Sequence, residues 1–473
     1  MITKTHLEAY LRDKDGQRTC APMASCKYMD AQFWRGLLVG RKFSGKENIK
    51  GVNLIHLIGR MCDAAEGMKS FFDAMHQMPR KIMLFGDACK SVTDPIAKAS
   101  KHWKIAQLSY ADIHPMYSKK NYPNLFRIVP SENEFNAPRI QLLKMFNWTL
   151  VGTLYQNNPR YSLAHNRLVA DLEVSGVKVV AAQSFADDIT YQLQQLKEKD
   201  VRIILGNFNE TWARRIFCEA YREKLFGKKY QWLIVGTYSR QWWRKEDVNC
   251  SLREIEAALK GAILMDLLPL STSQEITVSG RTAGEYKELY DVVSLGEYSR
   301  FHGYAYDGIW AIALALQNIS SYFEEGSGIK TRRSDLLSTF RYRDDAWEKA
   351  FLSALEATSF IGVTGLVQFR DNGRKGSVLI KQFQAFNTVN AEVKVGEYDG
   401  VTATLSLLKG QNITWNGKSP PKDRTYTRFK HPSLANSWPC QVAGVLSVLE
   451  LHWILIQNGM SIEFAKDDLI TCS

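Results

Sequence analysis

The stretch LVGTLYQNNPRYSLAHNRLVADLEVSGVKVVAAQSFADDITYQLQQLKEKDVRIIL, Leu150–Leu205, decides the fold class. Short apolar, β-rich runs at Leu150–Leu154, Val177–Ala182 and Val201–Leu205 alternate with helical patterns at Ser162–Val174 and Thr190–Lys197. A strand–helix–strand rhythm of this kind argues for parallel sheets with helices on both faces and right-handed crossovers.

The rhythm extends outward from about Gly51 to Gly400. Further strand runs are Val52–Ile58, Lys81–Phe85, Ile105–Leu108, Trp232–Val235, Leu366–Phe369, Val378–Gln384 and Glu392–Tyr398. Further helical patterns are Ala64–Met75, Asp94–Trp103, Arg139–Phe146, Thr211–Leu225, Ser251–Leu259, Ala283–Asp291, Tyr304–Ile319 and Ala346–Ala357. Tyr304–Ile319 is apolar around most of its circumference, as expected of a helix buried between layers, and too short for a comfortable membrane span. One core over this length would outgrow the usual domain limit, so two α/β lobes are expected. Met1–Asn48, with Cys20 and Cys26, lacks the rhythm, and so does the text beyond Asp423.

Composition is ordinary for a globular chain of 473 residues, with 45% hydrophobic and 23% charged residues. The formal net charge of +12 is spread along the chain and forms no continuous phosphate track, so no nucleic-acid partner is expected. Eight cysteines are too few for a disulfide scaffold at this length, and no CxxC pair supports a zinc ribbon. N-x-S/T sequons stand at Asn147, Asn209, Asn249, Asn318 and Asn412 and are compatible with secretion. Against that, Met1–Lys14 is polar and lacks the apolar core of a signal peptide. The most apolar late run, Cys440–Gln457, is interrupted by Glu450 and His452, and a mid-bilayer charge costs roughly 2.5–3.5 kcal/mol.

No phosphate loop, H-E-x-x-H, G-x-S-x-G or G-x-G-x-x-G motif occurs, and no cofactor or metal is expected. Asp87 and Asp112 follow predicted strands, where ligands of open α/β sheets bind; each is open to reading as an acid, base or amine anchor, or as a loop residue or helix cap. His102, His114 and His302 have no partner at metal-ligand spacing. Cys62 and Cys89 follow neighbouring strands, while Cys218 lies on a helix and Cys250 begins the next one. These four cysteines are readable as disulfides, each stabilising by roughly 3–4 kcal/mol, or as buried free thiols.

Longer runs carry a family resemblance. Ser299-Arg-Phe-His-Gly-Tyr-Ala-Tyr-Asp-Gly-Ile-Trp310, Phe360-Ile-Gly-Val-Thr-Gly365, Glu392-Val-Lys-Val-Gly-Glu-Tyr398 and Ser419-Pro-Pro-Lys-Asp423 resemble the metabotropic GABA (type B) receptor family, on its subunit 2 branch. Val201-Arg-Ile-Ile-Leu-Gly206, Lys229-Tyr-Gln-Trp232 and Tyr122-Pro-Asn-Leu-Phe-Arg127 match in the same order, over roughly Ile58 to Asp423. The resemblance implies a two-lobed, periplasmic-binding-protein-like (Venus-flytrap) receptor domain. Residues 1–50 would be an atypical segment, 51–147 plus 270–365 lobe 1, 148–269 plus 366–403 lobe 2, and 404–473 a membrane-proximal stalk and irregular tail. It also implies Cys62–Cys89 and Cys218–Cys250 bridges, an oxidising compartment and the extracellular face of the plasma membrane.

In the agonist-binding subunit of that family, the cleft holds GABA through residues that fall here at Lys90, Ile113, Val129, Asn209, Thr237 and Phe301. The first two replace serines that bind the carboxylate, Val129 a histidine, Asn209 a tyrosine and Thr237 a tryptophan. Phe301 replaces the glutamate that holds the ammonium. An ammonium left unpaired in a cleft is costly, so the cleft is expected to be unsuited to GABA. Lys90 is open to pairing with a carboxylate or to standing solvated at the rim. The resemblance further implies heterodimerisation with the GABA-binding subunit through the Ala64–Met75 helix, with Met68, Phe71, Phe72 and Met75 as interface candidates; their helical spacing equally suits a buried face. A G protein would be reached only through seven membrane spans, which this chain lacks. The family's Gly-rich first strand and long helix are not matched by Met1–Asn48, which would leave a sheet edge unpaired. These departures suggest a truncated form. Two other readings are an amino-acid- or peptide-sensing ectodomain, such as that of a guanylate-cyclase-type receptor, and an α/β enzyme using Asp87 or Asp112; neither a nucleophile nor a cofactor loop supports the second.

Overall fold

The computed structural model describes residues 52–57, 62–78, 80–294, 298–327, 336–337, 339–386, 389–408, 410 and 412–425. The segment Met1–Asn48 with Cys20 and Cys26, the run Cys440–Gln457 and the rest of the expected tail lie outside them.

The first sheet is wholly parallel and runs β1 (Val52–Leu57), β2 (Arg80–Phe85), β3 (Ala106–Ser109), β4 (Leu125–Arg127) in both sequence and space. Among the described residues β1 is an edge strand. Helices α1 (Ala64–His76) and α2 (Lys90–Trp103) make the crossovers. The Asp63 carboxylate caps α1 by accepting from Ala65 and Glu66 N–H at 2.8 and 3.1 Å.

From β4 the chain passes through a 3-10 turn, Glu132–Phe135, into α3 (Asn136–Met145), and then alternates strand and helix. The strands are β5 (Leu150–Gln156), β6 (Lys178–Phe185), β7 (Ile203–Asn207), β8 (Gln231–Val235) and β9 (Ile263–Leu267). Between them stand α4 (Pro159–Val174), α5 (Thr190–Glu198), α6 (Glu210–Arg222) and α7 (Leu252–Leu259). Helices α8 (Ala283–Val293), α9 (His302–Ser327) and α10 (Asp345–Glu356) follow, then the short antiparallel set β10 (Ser359–Gly362), β11 (Gly365–Arg370) and β12 (Gly373–Arg374). The long strands β13 (Val378–Phe386) and β14 (Val389–Asp399) and the short β15 (Thr404–Leu407) complete the second sheet, whose order is β15-β14-β13-β9-β8-β7-β5-β6. Its β9–β6 half is parallel and its β15–β9 half antiparallel.

The central strands read as unbroken apolar runs because both their faces are covered. Ile203, Leu233 and Ile263 enter one cluster, while their neighbours Ile204, Ile234 and Leu264 enter another on the opposite face. The first cluster continues without a break into the first sheet through Phe85, Leu108 and Phe126 and into α9 through Ile312 and Ala315. There α9 lies so close that a Cβ on Gly308 would stand 2.6 Å from the Phe85 ring. Both expected disulfides form, with Cα separations of 5.5 Å for Cys62–Cys89 and 5.6 Å for Cys218–Cys250.

Three segments sit differently from the expected boundaries. Helix α3 packs on the second sheet rather than the first: Leu142 and Leu143 join Val151 and Leu168, and Asn136 donates to the Ala164 carbonyl. Residues 365–374 stay with the first sheet, because Asn372 O accepts from Arg127 N–H at 2.9 Å and Arg374 bridges to Pro130. Residues 404–424 are no loose stalk. β15 extends the second sheet, Trp415 packs edge-on to Phe146 and Trp148, and the Asp423 carboxylate accepts from Thr149 and Leu150 N–H at 2.7 and 3.0 Å.

Candidate functional site

The residues singled out from the sequence lie at the carboxyl ends of strands in both sheets, where open α/β folds place ligands. Lys90 is the first residue of α2 and is exposed. Ile113 and Val129 follow β3 and β4 but are buried in the main core, so their side chains pack rather than line an opening. Asn209 is half-buried at the N-cap of α6, its side-chain oxygen accepting from Trp212 N–H at 2.9 Å. Thr237 follows β8 and is half-buried. Phe301 precedes α9 and packs, half-buried, against the core.

The two aspartates serve as caps and braces. One Asp87 oxygen accepts from Ala88 and Cys89 N–H at the start of α2. Buried Asp112 accepts from His114 N–H at 3.0 Å and from the Tyr117 hydroxyl at 2.7 Å, and its burial raises its carboxyl above the usual range. The sequon at Asn209 uses its amide as a helix cap, whereas Asn147, Asn249, Asn318 and Asn412 are exposed. On α1, Phe71 (0% exposed) and Met75 (5%) belong to the α1–α2–β2 core with Leu84, Val92 and Ile96, so in this chain they face inward. Phe72 is 45% exposed and Met68 half-buried.

What joins the two sheets is a set of ionic groups that the sequence reading did not single out. Arg300, immediately before Phe301, donates to Asp266 Oδ1 at 2.7 Å and to the Tyr238 carbonyl. Asp266 Oδ2 accepts from Lys381 Nζ at 2.8 Å, and Lys381 also donates to Glu392 Oε2 at 2.6 Å. Glu392 Oε1 then accepts from Trp242 Nε1 at 2.6 Å. Burial works against the Lys381 charge, but Asp266 and Glu392 together hold its ammonium above the ordinary range. The sequence signal for this chain was one acid in the apolar run of β9 and one lysine in that of β13. A second set lies where the chain first crosses between sheets. Fully buried Glu132 pairs with Arg160 of α4, and Arg139 of α3 donates to Asn207 Oδ1 at 2.7 Å and Asn136 Oδ1 at 2.6 Å. Near it His114 is pushed down to about 4 by burial and by the positive charges of Lys90, Arg160 and Arg127. His302, stacked 3.9 Å from Tyr290 and within 3.1 Å of the Tyr286 hydroxyl, is pushed to about 4 by burial.

This arrangement binds the chain to itself: within the second sheet Lys381 is matched by Asp266 and Glu392, and Arg300, from the segment leading into α9, reaches Asp266. No helix among the described residues is long and apolar enough to cross a membrane.

Residues 48–384 match the family described as receptor family ligand binding region. Gamma-aminobutyric acid type B receptor subunit 2 of Mus musculus is 40% identical over 378 residues, covering 78% of this chain and 39% of its own length. Subunit 1 of the same receptor from Mus musculus is 31% identical over 87% of this chain and 41% of its own length. Subunit 2 from Caenorhabditis elegans is 31% identical over 79% and 42%. The chain thus spans about two fifths of the length of these relatives. It belongs to the family of receptor ligand-binding regions, and its two parallel-rich, helix-flanked sheets are the lobes of that family's Venus-flytrap fold.

Lys381→Met would leave Glu392 with the Trp242 indole N–H but no cation, and Asp266 with Arg300 alone, and is expected to cost about 3 kcal/mol in chemical denaturation; a loss under about 1 kcal/mol contradicts the ionic chain. The His302 imidazole titrates lower in the fold, at about 4, than in the unfolded chain, near 6.5. Its contribution is therefore present above about pH 6.5 and lost as pH falls toward 4. His302→Gln should flatten the stability–pH curve between those values by about 1.4 kcal/mol per pH unit. An imidazole NMR titration showing His302 charged at pH 5.5 would refute this.

Proposed function

We propose that this member of the receptor ligand-binding family is the ectodomain of a type B gamma-aminobutyric acid receptor subunit, of the subunit 2 kind, which pairs with an agonist-binding subunit and does not itself hold the agonist. The reading rests on Phe301. At the position where the resemblance expects a carboxylate to hold the ammonium of GABA, this chain carries an aromatic ring half-buried against the core. That ring cannot give an ammonium the charge-assisted hydrogen bonds that a carboxylate gives, and the carboxylate of a small zwitterion needs hydroxyls or N–H groups. Ile113 and Val129 offer hydrocarbon and are themselves core residues. The neighbouring Arg300 is engaged with Asp266 and Tyr238.

In this proposal the first lobe holds β1–β4, α1, α2, α8–α10 and β10–β12. The second holds α3–α7, β5–β9 and β13–β15, and connectors near Pro130, Leu268 and Lys375 join the two. The chain has no catalytic role: the carboxylates of Asp87 and Asp112 brace loops. Signal passes through the dimer. Closure of the partner's lobes shifts the population of dimer arrangements, and the full receptor, at the plasma membrane, passes this to a G protein.

The partner surface is the exposed side of α1, centred on Phe72 with Met68 beside it. An exposed aromatic braced edge-on by buried Phe71, with half-buried Met68 one turn away, suits an interface anchor. Co-expression with an agonist-binding subunit should give a stable complex through this face. Phe72→Asp should weaken it at least about tenfold, which is about 1.4 kcal/mol, without lowering the melting temperature of the free chain. Failure of the unaltered chain to form the complex, or indifference of the complex to Phe72→Asp, contradicts the proposal.

A further inference from the structure

A cavity of about 220 Å³ lies among the segments that join the two sheets, apart from the strand ends described above. Its walls come from the strand-to-helix connector 271–283, the β10–β11 turn, Lys375 and Ser377 before β13, and Asp399 and Val401 after β14. These segments are held tightly: a Cβ on Gly376 would stand 2.3 Å from Pro130, and one on Gly400 would stand 2.5 Å from the Gly376 carbonyl. The walls are therefore preformed, which lowers the cost of binding there.

The polar lining has a definite character. Ser271 Oγ accepts from Ser273 N–H at 3.1 Å, and Ser273 Oγ accepts from Glu275 N–H at 3.1 Å. Each hydroxyl thus spends its oxygen on the backbone and keeps its hydrogen to donate. The charges do not balance within the cavity. Lys375 is matched outside it by both oxygens of Glu134 at 3.2 Å. Asp399 accepts from neutral donors, Val401 N–H at 2.9 Å and the Thr402 hydroxyl at 3.0 Å. With Glu275 at the rim, the lining is left with excess negative charge beside hydroxyl donors, and Ile361, Leu366 and Val401 supply a hydrocarbon wall.

We propose that this cavity binds a small hydroxyl-bearing cation of amino-sugar size, its ammonium toward Asp399 and Glu275, its hydroxyl oxygens accepting from Ser271 and Ser273, and its ring on Ile361 and Leu366. The proposal is independent of the receptor reading. A molecule held there touches the connector leaving β9 and the connector entering β13 together, so its occupancy is tied to the angle between lobes.

Calorimetric titration of the full chain with glucosamine, N-acetylglucosamine and glucuronate tests it. Glucosamine should bind saturably with a Kd of about 1 mM, N-acetylglucosamine at least about tenfold more weakly, and glucuronate not at all. Asp399→Asn, whose amide oxygen still accepts from Val401 N–H while its NH2 meets the Thr402 hydroxyl oxygen, and Glu275→Gln, at an exposed position, should each weaken glucosamine about tenfold. No saturable glucosamine binding, equal binding of the neutral or anionic sugar, or indifference to both substitutions overturns the proposal. The charge series on the unaltered chain decides the matter even where a variant fails to fold.

Discussion

The buried ionic chain from Arg300 through Asp266, Lys381 and Glu392 to Trp242 is the constraint on which the rest of this structure turns. Charges are tolerated inside a fold only when they are paired and hydrogen-bonded. Here that demands β9, β13 and β14 side by side in the observed register, and it demands the residue before α9 within reach of the second sheet. The position of α9 follows. With it come the close contact of Gly308 on Phe85 and the placement of Phe301 at the strand ends.

Much of the fold was legible in the strand–helix alternation because buried parallel strands need apolar residues on both faces. Ile203 and Ile204 show why such a run is continuous. β9 escaped notice because Asp266 interrupts a short run whose other members are apolar; the acid is paired, so it does not break the strand. Helix α2 begins at Lys90 rather than at Asp94, and Pro95 is accommodated inside it. The α1 positions could not be sorted by spacing, because Phe71 and Phe72 are adjacent and only packing on Val92 and Ile96 shows which ring faces inward. The contacts made by residues 412–424 have no sequence signal for a similar reason. Asp423 and Trp415 reach Thr149 and Phe146 across more than half the chain, and no local pattern announces such a contact.

The candidate site was legible only through the family resemblance, which supplied positions rather than chemistry. The structure adds the surroundings: Ile113 and Val129 are core, Asn209 is a cap, Lys90 is solvated, and Phe301 rests on hydrocarbon. The fold leaves Phe72 of α1 exposed and brings connectors around Pro130, Gly376 and Gly400 into tight contact.

The most direct measurement is isothermal titration of 4-aminobutyrate into the isolated chain, with its folding verified by a cooperative melt. The account requires no saturable heat up to millimolar concentrations. Saturable binding in the micromolar range, abolished by a substitution at Lys90 or Phe301, would show that the cleft grips the zwitterion after all.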